Sequence, residues 1–303
     1  MSEKKEHLIN FALLFAAPLL LLLVNGNWFF TQMALVDSWT YVSVFLNYGS
    51  AGIYDLGYVA DGLGYKEARF HWTMPAAAAY QALDPVTATN LLGLGFLYIA
   101  VFSLYACLSF LFDRRTAFVT AFLFLVYMEL QGSYGWAYHN NAAIAFSFLA
   151  LALLLKAWTK DNSSGLLFCA GAAWAAIFTT CLIFLPAAVL ILFVYISVLF
   201  INDKKYLSNK IWTVFRSIII VIFGAVVSLI FLSLLHYIIT GDVSDMWAFG
   251  EAPVLARQYI VAIDSLLQQT STSGVIYPFL AGVTISAFLA MPFVFSVVAF
   301  WWL

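Results

Sequence analysis

The stretch DSWTYVSVFLNYGSAGIYDLGYVADGLGYKEARFHWTMPAAAAY, residues 37–80, decides how the rest of the chain is interpreted. It is the only long polar, aromatic and charged region near the start of the chain, and long apolar runs lie on both sides of it. A helix over residues 36–49 would have two different stripes. The first stripe consists of Asp37, Tyr41, Val44 and Tyr48. The second stripe consists of Trp39, Val42, Phe45 and Leu46. Such an amphipathic helix is predicted to lie in the membrane interface, with its acid turned away from lipid.

Composition places the chain among polytopic membrane proteins. Hydrophobic residues make up 64% of it, charged residues 9%, and the mean hydropathy is +0.96, whereas a soluble domain is about half apolar and about a quarter charged. A net charge of −2 provides no attraction for nucleic acid. Cys107, Cys169 and Cys181 all lie in apolar segments, and they predict neither a disulfide framework nor a metal site.

Apolar runs that can cross about 30 Å of hydrocarbon predict an all-α bundle of about eight membrane spans, in a single domain over 1–303. The predicted spans cover residues 8–30, 86–112, 116–130, 141–158, 165–179, 182–201, 211–239 and 275–303. Extracytoplasmic loops are predicted over 31–85 and 240–274, and the first of them holds interfacial helices.

Local sequence features decide two parts of this topology. The run 165–200 is too long for one helix, and a polar Thr179-Thr180 pair with Pro186 just beyond it predicts a hairpin of two spans. A retained first span is favoured over a cleaved signal peptide, because the apolar run over residues 8–24 is longer than a usual signal core and residues 25–28 offer no small-residue cleavage pattern.

The distribution of Lys and Arg tests the topology independently, because these residues gather on the cytoplasmic side of short loops. With the N-terminus inside, ten of the thirteen fall on that side: Lys4, Lys5, Arg114, Arg115, Lys156, Lys160, Lys204, Lys205, Lys210 and Arg216. The other three, Lys66, Arg69 and Arg257, fall outside together with both long loops. The sequence therefore predicts a multi-pass protein with a cytoplasmic N-terminus.

The usual signatures of soluble enzymes are missing from the sequence, including phosphate-binding glycine loops, CxxC, HExxH and G-x-S-x-G. Candidate chemistry therefore lies in the extracytoplasmic loops. The last predicted span ends at residues 301–303 without a basic anchor. Two explanations stay open: the chain is a piece of a longer protein, or its end contacts partner membrane subunits.

Asp37 is the candidate catalytic residue. It follows the first predicted span closely, and a carboxylate at the membrane surface can act as a base or a metal ligand beside a lipid head group. The competing interpretation is a solvated helix cap, since Asp is favoured at helix starts. The sequence does not decide whether a divalent metal ion takes part, so the cofactor stays unknown.

Lys66 and Arg69 are rare outer cations that lie close together in the sequence. A guanidinium fork and an ammonium group both suit phosphate oxygens, so the two residues are candidate phosphate ligands. Arg257, in the last outer loop, is a third candidate. The competing interpretations are ion pairing with Glu67 or Asp61 and an arginine that snorkels from the membrane interface.

Further polar and aromatic residues are candidates for lining the same cavity: Tyr41, His71, Trp72, Glu129, Tyr138, His139 and Asn140. A glutamate at the end of a span is costly if it faces lipid, so Glu129 is expected to face the bundle interior or the loop cavity. Residues 138–141 open the fourth predicted span, where an imidazole and amides could bind a metal or could cap the helix.

The order of these features resembles the GT-C superfamily of membrane glycosyltransferases, specifically the bacterial protein O-mannosyltransferases and aminoarabinose transferases. In that family one span precedes a long outer loop that opens with an Asp in a D-x-x-x-Y helix, here Asp37 to Tyr41. Tyr54, Arg69 and residues 72–76 are similar to the second half of that loop. Residues 138–156 and 165–180 are similar to later helices of the family.

The resemblance implies a helical bundle in the bacterial inner membrane, a donor sugar carried on polyprenyl phosphate, and Asp37 as the base or the metal-linked carboxylate. The outer cations would then bind the donor phosphate. Many relatives carry an acid in the second outer loop, where this chain has His139, Asn140 and Asn141.

Three functions stay open at this point. The leading one is transfer of a sugar from a polyprenyl-phosphate donor to an acceptor at the extracytoplasmic membrane face, with membrane lipid around the site. A non-catalytic GT-C-like subunit of a membrane complex fits the missing second acid. A small-solute transporter is disfavoured, because charged residues avoid the span centres and no pair of interrupted half-helices stands out.

Overall fold

Helices make up almost all of the chain that the computed structural model describes, which is residues 3–24, 36–49, 69–127, 140–160, 163–180, 185–202 and 207–241. In chain order they are α1 Glu3–Val24, α2 Val36–Asn47, α3 Phe70–Ala82, α4 Pro85–Leu111, α5 Arg114–Val126, α6 Asn140–Thr159, α7 Ser164–Thr180, α8 Leu185–Asn202 and α9 Leu207–Thr240. These ranges contain no strand, so the predicted all-α class is confirmed for them. The chain divides into two compact units, Met1–Ala248 and Phe249–Leu303, and every described residue belongs to the first. A single domain over 1–303 stays a prediction.

Three stretches of the described helices are long and apolar enough to cross a membrane. They are Pro85–Leu111, Asn140–Thr159 and Ile211–Thr240, and they coincide with the predicted spans 86–112, 141–158 and 211–239. Large apolar side chains remain exposed along α9, among them Phe223 and Phe231. Hydrocarbon accommodates such a surface far better than water does. The other five predicted spans stay predictions, and the last of them, 275–303, lies outside the described residues.

Two aspartates define where α4 and α5 begin. The Asp84 carboxylate accepts a hydrogen bond from the backbone N–H of Thr87 at 3.0 Å, and Pro85 occupies the first helical position. Asp113 accepts from the N–H groups of Arg115 and Thr116. A carboxylate at this position satisfies N–H groups that have no partner within the helix. The charged turn at residues 113–115 is therefore a cap that lets the chain reverse direction between the two helices.

Stability is expected to fall in acid partly through Asp113. Hydrogen bonds from Thr116 and Arg115 hold the pKa of this exposed carboxyl below its ordinary value of 3.8. A depressed folded-state pKa gives stability that is complete above the unfolded-state pKa and is lost as the pH falls through the folded-state pKa. Thermal unfolding of purified protein at pH 6 and at pH 3 should show a smaller acid-induced drop for Asp113→Asn, which caps without titrating. Equal drops would contradict a role for this carboxylate.

An aromatic zipper holds α1 against α4. Phe11 stacks on Phe102 with ring centroids 4.1 Å apart, Phe15 stacks on Tyr98 at 5.0 Å, and His7 stacks on Tyr105 at 5.6 Å. The residue numbers rise along α1 as they fall along α4, so the two helices are antiparallel. Spacings of four on one helix and three or four on the other keep each set of rings on one face.

The run 165–200 holds α7 and the greater part of α8, and residues 181–184 between these helices lie outside the described residues, so the predicted hairpin of two spans stays a prediction. The hydroxyl groups of Thr179 and Thr180 both donate to the carbonyl oxygen of Ala176, one turn back in α7. Threonine can make such bonds inside an apolar helix without a partner from another element.

Glycines bring α7 and α9 into backbone contact. A Cβ atom added to Gly171 of α7 would overlap the carbonyl oxygen of Val221, and one added to Gly224 of α9 would overlap the carbonyl oxygen of Phe168. Each helix therefore uses a missing side chain to admit the backbone of the other. Close approach of this kind increases dispersion contacts between helices, which is a main source of association in lipid.

Candidate functional site

The site region is built from α2 and α3, which pack on each other through aromatic rings. Trp72 of α3 meets Tyr41 of α2 edge-on, with ring centroids 4.5 Å apart, and meets Phe45 at 4.9 Å. All three side chains are buried. Aromatic pairs in this arrangement gain electrostatic energy beyond the burial of their area. Tyr41 and Trp72 are thus parts of a packed core beside the candidate site.

The predicted division of α2 into two stripes is wrong at Phe45. This residue lies on the buried face together with Tyr41, Val44 and Tyr48. Residues four apart on a helix are nearest neighbours, so Phe45 follows Tyr41 rather than opposing it. The helix buries this face inside the protein, where its rings contact α3.

Arg69 lies directly before α3, and its side chain is only 7% exposed. Its backbone carbonyl accepts hydrogen bonds from the N–H groups of Trp72 and Thr73, both at 2.9 Å. The guanidinium carbon is 5.5 Å from the centroid of the Tyr41 ring, which is a cation–π distance. A guanidinium keeps its charge in proteins, so α2 and α3 together hold a buried positive charge.

Asp37 belongs to the first turn of α2, one helical turn before Tyr41. Positions four apart lie on the same side of a helix, so the backbone puts Asp37 on the side of α2 that carries the ring under Arg69. The side chain of Asp37 lies outside the described residues, so only its position along the backbone of α2 is given.

His71 faces the interior of the helical bundle. Its Nδ1 is 2.7 Å from the Thr179 hydroxyl of α7, and its Nε2 is 2.9 Å from the Ser228 hydroxyl of α9. Burial lowers the pKa of His71 to about 4, so the imidazole is neutral at neutral pH. A neutral imidazole donates from one nitrogen and accepts at the other, and both hydroxyls can take either role. His71 therefore ties α3 to α7 and α9 at once.

A second tie joins α2 to α9. The Tyr48 hydroxyl lies 2.6 Å from Nδ1 of His236, and the backbone carbonyl of Tyr48 accepts a hydrogen bond from Gln81 of α3. Phe70 also packs on the His236 ring, with centroids 4.9 Å apart. Sequence reasoning did not select His236 or Ser228. The available signal was a polar residue inside an otherwise apolar run, which in membrane proteins marks an internal partner.

The remaining candidate residues are only partly located. Asn140 begins α6 and is half-buried. Five others lie outside the described residues, and their share in the site stays a prediction: Lys66, Glu129, Tyr138, His139 and Arg257. Within the part of the chain that the structure describes, no group of three or more His, Cys, Asp or Glu side chains could hold a metal ion.

Described cations other than Arg69 lie away from this region. Arg115, at the start of α5, is 3.6 Å from Glu6 of α1. Arg216, near the start of α9, donates to Ser164 at the start of α7. The site region instead contacts the later parts of α7 and α9, at Thr179, Ser228 and His236. The bundle thus has a basic end and, opposite it, the end that carries α2 and α3.

The described fold is that of an all-helical protein with three candidate membrane spans and a buried arginine held between two short helices. No protein-family model, curated protein or solved structure matches the chain. A functional proposal therefore depends on the resemblance of the sequence to the GT-C superfamily and on the contacts of the described residues.

Proposed function

We propose that this protein transfers a sugar from a polyprenyl-phosphate donor to an acceptor at the extracytoplasmic face of the membrane. The observation that supports it best is the α2–α3 pair, which places a buried guanidinium over Tyr41, one turn from Asp37. A cation next to a candidate base suits a reaction in which a phosphate leaves as a hydroxyl attacks.

In the proposed reaction the acceptor oxygen attacks the anomeric carbon from the face opposite the phosphate. The carbon–oxygen bond to the phosphate breaks as the bond to the acceptor forms, so the configuration inverts. Asp37 takes the proton of the acceptor hydroxyl, and polyprenyl phosphate leaves with the bonding electron pair. Arg69 stabilises the charge that develops on the phosphate, because a fixed cation in a region shielded from water interacts strongly with an anion.

The lipid donor suits the position of the site region at one end of the bundle. A phosphate carried on a polyprenyl chain stays at the membrane surface, so its catalytic groups must lie where the spans end. The basic end of the bundle, with Arg115 and Arg216, is then the cytoplasmic side by the distribution of positive charge. The site end faces outward in this orientation.

Transfer activity is expected to fall at least about 100-fold in Asp37→Asn, since removal of a general base costs that much or more. Purified protein in detergent or proteoliposomes would be supplied with labelled polyprenyl-phosphate sugar and a mixture of acceptor lipids and peptides. Release of polyprenyl phosphate and transfer of the label are measured together. Asp113→Asn is the matched control, because it removes an exposed acid at the basic end of the bundle and should leave transfer unchanged.

Arg69→Gln distinguishes the proposed role of Arg69 in binding phosphate from the proposed role of Asp37 as the base. It should weaken binding of polyprenyl phosphate as well as transfer, whereas Asp37→Asn should leave that binding intact. Arg115→Gln, an exposed cation at the opposite end, serves as the control for charge. Unchanged transfer in folded Asp37→Asn would remove this acid from the mechanism. Donor binding without any transfer by the unmodified protein would support the non-catalytic subunit instead.

A further inference from the structure

Arg216 has surroundings that the proposed transferase site does not explain. It is exposed in the second turn of the candidate span Ile211–Thr240. Its neighbours on α9 include Trp212 and Phe215, which are 66% and 54% exposed. A guanidinium near the end of a membrane span, among exposed apolar side chains, is costly unless an anion or water meets it.

A hydrogen bond to α7 orients this arginine. Its Nη2 donates to the Ser164 hydroxyl at 3.0 Å, which uses one of the five N–H donors of the guanidinium. The backbone contacts at Gly171 and Gly224 keep α7 and α9 close together farther along both helices. Arg216 is therefore directed across the α7–α9 junction.

A second cation comes shortly before α7 in the sequence. Lys160 follows α6 and is exposed, four residues before Ser164. Asp161 is the acid next to it in the sequence, and it lies outside the described residues. The described acids with placed side chains, Glu6, Asp84 and Asp113, belong to α1 and to the starts of α4 and α5.

We propose that Lys160, Ser164, Trp212 and Arg216, here called the α7–α9 basic surface, bind the phosphate of an anionic membrane phospholipid. The guanidinium provides paired donors for phosphate oxygens, and Lys160 adds a second positive charge. An exposed indole is well suited to the level of the lipid head groups. The exposed apolar side chains that continue along α9, such as Ile219 and Ile222, would receive the acyl chains.

A phospholipid fits this surface better than free phosphate does, because exposed apolar side chains of α9 lie directly beside the positive charges. The surface lies at the basic end of the bundle, away from Arg69. It is therefore distinct from the proposed donor site, and its test needs neither donor nor acceptor.

The experiment measures quenching of tryptophan fluorescence by brominated lipids in mixed micelles of the purified full chain. The chain has ten tryptophans, so the signal of Trp212 is taken as the difference between the unmodified protein and Trp212→Phe. Brominated phosphatidylglycerol should quench at lower mole fractions than brominated phosphatidylcholine. Arg216→Gln should raise the half-quenching fraction about fivefold, and Lys160→Gln by a similar factor. Arg216→Lys should keep most of the preference for phosphatidylglycerol over phosphatidylcholine.

The control is Arg115→Gln, which removes another exposed cation at the same end of the bundle. Its half-quenching fraction should match that of the unmodified protein, and thermal unfolding would verify that each variant is folded. Equal quenching by the two lipids would overturn the proposal. So would an equal shift in Arg115→Gln, which indicates diffuse attraction, or full displacement of the lipid by millimolar inorganic phosphate.

Discussion

Gly171→Ala is expected to destabilise the protein by about 3 kcal/mol, at the upper end of the cost of overpacking. The added methyl group would overlap the carbonyl oxygen of Val221, and a backbone atom cannot move aside by changing rotamer. Only separation of α7 from α9 relieves the overlap, and separation weakens every contact along that junction. Unfolding by sodium dodecyl sulfate in a mild detergent, followed by circular dichroism, measures the change.

Two other glycines provide matched controls. A Cβ atom on Gly95 of α4 or on Gly165 of α7 would have no atom within 4 Å. Gly95→Ala should therefore be neutral, or should stabilise by up to about 1 kcal/mol through helix propensity. Gly224→Ala should cost as much as Gly171→Ala, and the double variant less than the sum, because one separation relieves both overlaps. Equal stability of Gly171→Ala and Gly95→Ala would show that α7 and α9 are not in backbone contact.

His71→Leu is expected to cost about 3 kcal/mol, because it removes two hydrogen bonds and leaves the hydroxyls of the buried Thr179 and the half-buried Ser228 without their imidazole partner. Thr179 can still donate to Ala176 in its own helix, whereas Ser228 loses the contact to α3. The loss should loosen α3 and with it the position of Arg69. Unfolding free energy and the accessibility of a cysteine introduced at Ala78, an exposed position of α3, would both report the change.

Conservative variants separate the two bonds of His71. The amide of Asn reaches the position of Nδ1 and that of Gln the position of Nε2, so His71→Asn should keep the bond to Thr179 and His71→Gln the bond to Ser228. Each should recover part of the stability. Thr179→Val should lower the unfolding free energy only slightly in the His71→Leu background. Such a reduced effect is expected when the two side chains interact directly. Full additivity of these two substitutions would argue against the bond.

Much of the secondary structure could be predicted because it depends on local sequence. Apolar runs located the candidate spans Pro85–Leu111 and Asn140–Thr159 to within a residue or two, whereas the run predicted over 116–130 corresponds to a helix that begins at Arg114. The helix over 36–49 was also predicted from its periodicity. Its buried face was misjudged at Phe45, because the stripes were assigned before any packing partner was known.

The candidate site could be predicted only in part. Asp37, Arg69 and Tyr41 were selected for their residue types, and the structure supports the association of Arg69 with Tyr41. His71 was selected as a cavity residue, yet its partners are hydroxyls of the helical bundle. The partner of Tyr48 is 188 residues away in the sequence, and no local pattern can indicate contact over that distance.

Hydrophobicity and helix periodicity were sufficient to predict that the described residues are helical and include apolar segments of membrane-spanning length, because leaving water and closing backbone hydrogen bonds are properties of one segment at a time. The choice of neighbours was not contained in those patterns. Whether Gly171 meets Val221, or Arg216 meets Ser164, depends on how two whole helices cross, and a shift of an ångström would change both contacts. Packing of complete helices settled these partners, since close-packed interiors accept few arrangements.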